Sequence, residues 1–131
     1  VNPTPPQPVR VGDLQLRILQ VLWAKPEATV AEVNAALKPE RDLAYTTVAT
    51  MLRKMEARGL VSHREDGRSF LYRARVNAEQ IGQGMADHMV EKLFDGSLAG
   101  TVSHLLRTRE VSREELEELE RLIRAAKRRT K

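Results

Sequence analysis

Residues 42–76 read DLAYTTVATMLRKMEARGLVSHREDGRSFLYRARV, and a change of period inside them decides the fold. Up to Gly59 the apolar residues recur at helical spacing. Beyond it they fall into two short runs joined through Asp66 and Gly67. With Val48 at zero and about 100° per residue, Met51, Leu52 and Met55 lie within about 60° of it and predict a buried stripe. Gly59 predicts the helix end, because glycine accepts the left-handed position after the last turn. Thr46, Thr50, Arg53 and Ala57 fall within about 40° of the opposite pole, with Thr47 and Lys54 on its flank. Solvated helix faces are usually rich in Glu and Lys, whereas β-branched threonines cost helix propensity. Short side chains with two cations suit a helix lying in the major groove of DNA. There hydroxyls reach phosphates or base edges, and arginine can bond guanine through two donors. The face alone leaves open a solvated helix with a basic side. The hairpin favours DNA, because Gly67 suits its turn and His63, Arg64 and Arg68 flank it as the tip of a wing.

Working outward, VGDLQLRILQVLWAKP carries Val11, Leu14, Ile18, Val21 and Leu22 at helical spacing, with Asp13 as the expected cap and Pro26 as the stop. In TVAEVNAALKP, Thr29 and Glu32 predict a capping box and Val30, Val33 and Leu37 one face. Three helices and a two-strand wing predict a winged helix-turn-helix over residues 10–76, after a proline-rich disordered arm at 1–9. From Asn77 the helical period returns. Ile81, Met85, Met89 and Leu93 predict a fourth helix ending near Asp95 and Gly96. SLAGTVSHLLRTR predicts a short fifth, and Ser112 with Glu115 caps a sixth. The fold class is therefore mostly α (α+β), with a three-helix module over residues 77–131 whose basic tail, KRRTK, is expected to fray.

The three C-terminal helices have narrow apolar stripes and little to bury them against, so a second copy of the chain is the expected partner. Leu93, Phe94, Leu98, Val102, Leu105, Leu116, Leu119, Leu122 and Ile123 form the expected dimer interface. The alternative is that they fold back onto their own winged helix.

Composition narrows the function classes. The net charge is +4 over 131 residues, and the whole excess precedes Asn77, since residues 77–131 carry as many acids as bases. That asymmetry suits a basic module facing a polyanion. The absence of cysteine excludes disulfides and thiol chemistry. No apolar run long enough to span a bilayer and no secretory pattern is present, so no membrane insertion and a cytoplasmic location are expected. No paired carboxylates, phosphate loop or metal spacing supports an enzyme, and no cofactor is implied. His88 with Asp87 and Glu91 reads as a solvated face, not a metal cluster. Trp23 and the methionines at 51, 55, 85 and 89 read as packing residues.

TTVATMLRKMEARGLVSHREDGRSFLYRA resembles the winged-helix signature of the penicillinase-repressor (BlaI/MecI) family of transcriptional repressors. KLFDGSLAGTVSHLL followed by VSREELEELERLI resembles that family's dimerisation region. The resemblance implies a homodimeric, sequence-specific repressor on a double-stranded DNA operator with dyad symmetry, belonging to a β-lactamase or related resistance operon. It also implies relief by proteolysis through a membrane-bound metalloprotease sensor. Thr47, Val48, Thr50, Leu52 and Arg53 match the recognition helix, and Gly67, Arg68, Phe70 and Tyr72 the wing. The family's capping Ser is Ala44 here, and its scissile Asn-Phe bond falls on His104-Leu105. The expected division of labour is base reading by Thr46, Thr47, Thr50 and Arg53, and phosphate binding by Tyr45, Lys54, Arg64 and Arg68. Rival classes are a winged helix used to bind protein, or a regulator of a different operon.

Overall fold

A computed structural model describes residues 11–130; the expected arm at 1–9 and Lys131 lie outside the described residues. In chain order the elements are α1 (Asp13–Ala24), α2 (Val30–Leu37), α3 (Tyr45–Ala57), β1 (Val61–Asp66), β2 (Ser69–Ala74), α4 (Ala78–Leu93), α5 (Leu98–Thr108) and α6 (Arg113–Arg129). The chain is mostly helical with one two-stranded antiparallel sheet, as its periods predict. It parts into two compact units, one running through Asp87 and one from His88.

Local chemistry sets the helix ends of the first unit. Gly12, not the expected Asp13, is the N-cap of α1. Its N–H donates to Gln15 Oε1 at 3.1 Å, while Asp13 occupies the first turn, where its charge suits the helix dipole. The helix stops before Lys25, which is extended because it precedes Pro26. The box at α2 forms in full: Glu32 N–H donates to Thr29 Oγ1 at 3.1 Å, and Thr29 N–H donates to Glu32 Oε1 at 2.8 Å. Thr29→Ala is therefore expected to cost about 1 kcal/mol and lower the thermal midpoint by a few degrees. An unchanged melting curve would show that α2 is held by packing alone.

Helix α3 ends in a Schellman arrangement. Gly59 N–H donates to the Glu56 carbonyl and Leu60 N–H to the Met55 carbonyl, both at 3.0 Å, with Gly59 at φ +79°. Val48, Leu52 and Met55 are each 0% exposed and meet Ile18, Leu19 and Val33 in the core. The strand register runs from Val61 opposite Ala74 to Asp66 opposite Ser69. The turn is thus centred on Gly67-Arg68, one residue later than the Asp66-Gly67 pair read from the sequence. Gly67 has φ +63°, as the first central position of a type II′ turn requires. One contact was not legible: Ala28 bridges Tyr72 through two backbone hydrogen bonds of 3.0 and 2.8 Å. The wing thereby gains a third, one-residue strand from the turn between α1 and α2.

The expected division between residues 76 and 77 and the observed one at Asp87 differ because Ile81 is buried in the first unit's core. Of the stripe expected along α4, Ile81 is buried and Met89 half-buried, while Met85 and Leu93 are exposed, Leu93 being one of the residues expected at the dimer interface. In the second unit Ser97 and Ser112 cap α5 and α6 through the N–H groups of Gly100 and Glu115. Residues 127–129 of the tail are not frayed but form the last turn of α6, where cations complement the free carbonyls. No helix among the described residues is long and apolar enough to cross a membrane.

Candidate nucleic-acid interface

The buried stripe of α3 leaves its other side bare. Tyr45, Thr46, Thr47, Thr50, Arg53 and Lys54 are all exposed. The first turn of α3 carries no acid, and Ala44 makes no side-chain cap. The helix therefore presents N–H groups without a local carboxylate, a setting that favours an incoming phosphate. Arg53 Nη2 donates to Thr50 Oγ1 at 3.2 Å, which lays the guanidinium along the outer pole one turn above the threonine.

Beside this face a groove of about 360 Å³ separates α3 from the start of α2 and the wing. Tyr45, Ala49 and Arg53 line one wall, Arg68 and Phe70 the other, with Thr29 at the end. Arg68 sits at the exposed turn. Phe70, half-exposed in β2, is a surface aromatic that the sequence reading left out of the interface. Its signal was an aromatic beside the turn, at a strand position with no core to enter. Tyr72, its neighbour two residues on, points inward, and burial raises its phenol above the usual tyrosine value.

Two expected wing contacts are already engaged. Arg64 donates from Nε and Nη2 to Glu27 at 2.8 and 2.9 Å, and this arginine holds the Glu27 carboxyl below the usual carboxylate range. Its guanidinium thus ties the wing to the turn between α1 and α2, and must exchange a carboxylate for a phosphate to serve as expected. His63 does not project from the wing tip. It turns toward α3, with Nδ1 at 2.7 and 2.9 Å from the two carboxylate oxygens of Glu56.

The second unit exposes what its own fold does not bury. No residue of α6 is buried, and Leu122 and Ile123 are each 56% exposed. An apolar groove of about 600 Å³ runs between α5 and α6, lined by Val102, Leu106, Leu116, Leu119, Leu122 and Ile123. Leu106 and Ala126 belong to this surface and were missing from the expected interface set. Leu93 and Leu98 are exposed, while Phe94, Val102, Leu105 and Leu119 are half-buried. His104 and Leu105 lie in the middle of α5, with the His104 ring tilted against Phe94 at 5.4 Å. Among the described residues no three His, Cys, Asp or Glu side chains gather in a way that could hold a metal ion.

Known proteins show the family of this chain. The family model described as penicillinase repressor matches residues 11–125. The transcriptional regulator BlaI of Mycobacterium tuberculosis is 33% identical over 99 residues, covering 74% of this chain and 72% of its own. The penicillinase repressor of Bacillus licheniformis is 24% identical over 122 residues, covering 93% and 95%. Among solved structures, a MarR family protein from Bacillus stearothermophilus aligns over 92% of this chain and 76% of its own, with a TM-score of 0.50 at 22% identity, a likeness of fold.

Proposed function

Because the chain belongs to the penicillinase-repressor family of DNA-binding transcriptional repressors, we propose that it works as a homodimer on a dyad operator. Residues 10–76 bind DNA and residues 77–131 join the two protomers. The observation that carries this is the bare outer face of α3, where Thr46, Thr50 and Arg53 stand opposite a fully buried stripe. Each α3 enters a major groove, the two half-sites lying roughly 34–36 Å apart or a multiple of that. Thr46, Thr47, Thr50 and Arg53 read bases or fix register. Tyr45, Lys54 and Arg68 hold phosphates, and Arg64 joins them when DNA displaces Glu27.

Dimerisation multiplies half-site affinities, so separating the C-terminal helices releases DNA. A cut between His104 and Leu105 would split α5 and detach α6, a helix with no buried residue. Since both residues are helical, α5 must first unwind to enter a protease. The relatives' names, penicillinase repressor among them, point to a β-lactamase or related resistance operon as the target. The family resemblance implies a cytoplasmic regulator with a membrane-bound metalloprotease sensor as its inducing partner.

Salt titration tests the DNA reading. Lys54, Arg64 and Arg68 supply three phosphate-binding cations per protomer, and about six ionic contacts per dimer should cost about 10³-fold in affinity between about 50 and 200 mM salt. A flat response in an electrophoretic or anisotropy titration would point to a protein partner for α3 instead.

A further inference from the structure

We propose that Glu56 and His63 form a clamp that sets the angle of the wing to α3, making both of them positioning residues for sequence-specific binding. The proposal rests on the DNA-binding reading above. Glu56 is the only acid in α3, and at about 80° from Val48 it lies on the flank shared with Tyr45 and Ala49. An acid so close to a surface that meets a polyanion is unfavourable for affinity unless it does something else. Its carboxylate accepts only, so His63 Nδ1 carries the proton of the 2.7 Å bond. The two side chains are 31% and 29% exposed, which shields the pair from much of the solvent screening that weakens surface bridges.

The imidazole continues the link into the second strand. It stacks on Phe70 with centroids 4.3 Å apart and planes 26° from parallel, and tilts against Tyr72 at 5.3 Å. A chain of contacts therefore runs from Glu56 of α3 through His63 to Phe70, close to Arg68 at the wing tip. Consecutive strand residues point to opposite faces, so Arg64 ties the other side of β1 to Glu27. The Ala28–Tyr72 bridge holds β2 near its C-terminal end, and a two-stranded hairpin beyond such a bridge is only marginally ordered by itself, so the direction of the wing tip depends on such ties. The wing is thus gripped from both faces, and the α3-side grip sets how far Arg68 stands from Arg53. Both arginines must reach the same duplex together, so losing that preset spacing costs affinity for the correct site.

The test uses the full chain and two duplexes: the consensus that the wild-type protein selects from a random pool, and a scrambled duplex of the same composition. Glu56→Leu (which removes both the charge and the acceptor) and His63→Phe (which keeps the stack) are each expected to weaken consensus binding about 3–10-fold while changing scrambled binding much less. The double variant should be no weaker than either single one, because both remove one link. Tighter binding of Glu56→Leu to both duplexes would reduce Glu56 to a repulsive charge and overturn the proposal. So would equal losses on both duplexes that track a lowered thermal midpoint. Failure of the wild type to select any consensus would sink the repressor reading instead. In that event residual dipolar couplings still decide the clamp, which falls if the wing holds the same angle to α3 in Glu56→Leu.

Discussion

Ile123→Asp is expected to yield a folded monomer by sedimentation, with affinity for the dyad site reduced by about 10²-fold or more. The size follows from avidity: when the second half-site contact is intramolecular, loss of the link removes a factor of about 10²–10⁴. Ile123 is the right place to cut because it is 56% exposed and lines the groove between α5 and α6. Aspartate there costs the single unit little and the interface much, since a buried unpaired carboxylate is strongly unfavourable. Leu119→Asp is a less clean probe, because Leu119 is half-buried and faces α5 within its own unit. A dimer that survives Ile123→Asp would move the interface elsewhere, to α4 or the winged helix. The amide dispersion of the first unit should stay unchanged in the variant, which separates loss of the partner from loss of fold.

Arg53→Ala should weaken binding to the selected site by about 1–3 kcal/mol, the range for a bidentate base contact, and leave the dimer intact. Arg53 is exposed, and its bond to Thr50 is a surface contact, so its removal opens no cavity. Arg53→Lys separates the two jobs that an arginine can have. Lysine keeps the charge but not the planar fork, so it should restore binding to random DNA without restoring preference for the site. Equal losses on selected and random duplexes would make Arg53 a phosphate contact and leave base reading to the threonines.

Much of the winged helix was legible because its signals are local. Thr29 and Glu32 are three residues apart, and their box needs nothing beyond one turn of helix. Gly59 and Gly67 mark the two places where the backbone takes positive φ among the described residues of the first unit, and the end of α3 and the turn of the hairpin follow from them. The stripe of Val48, Leu52 and Met55 told which side of α3 is buried, and by subtraction which side is bare. Where local signals were weak, the expectations slipped. The turn moved to Gly67-Arg68, because register depends on pairing across the hairpin as well as on a favourable dipeptide. Along α4 one stripe holds both the buried Ile81 and the exposed Met85, because periodicity names a face without supplying a neighbour for it.

The site was legible as a list and not as a set of partners. Thr46, Thr47, Thr50, Arg53, Lys54 and Arg68 stand exposed where helical spacing and the hairpin put them, whereas Tyr45, about 60° from Val48, is exposed at the edge of the buried stripe. Arg64 and His63 looked like the same kind of residue in the sequence, but each had a carboxylate waiting. Glu27 is 37 positions from Arg64, and nothing in either segment announces the other. The Ala28–Tyr72 bridge is likewise a meeting of distant backbone.

By itself the sequence determined helix identity, the caps of α2 and α6, the hairpin and the basic outer face, because these depend on torsional preference and on contacts within about one helical turn. Only the tertiary structure decided which charges are free for DNA and which are spent holding the wing. A charged side chain takes the nearest opposite charge in space, and that distance exists only once α1, α2, α3 and the hairpin have packed around their shared core.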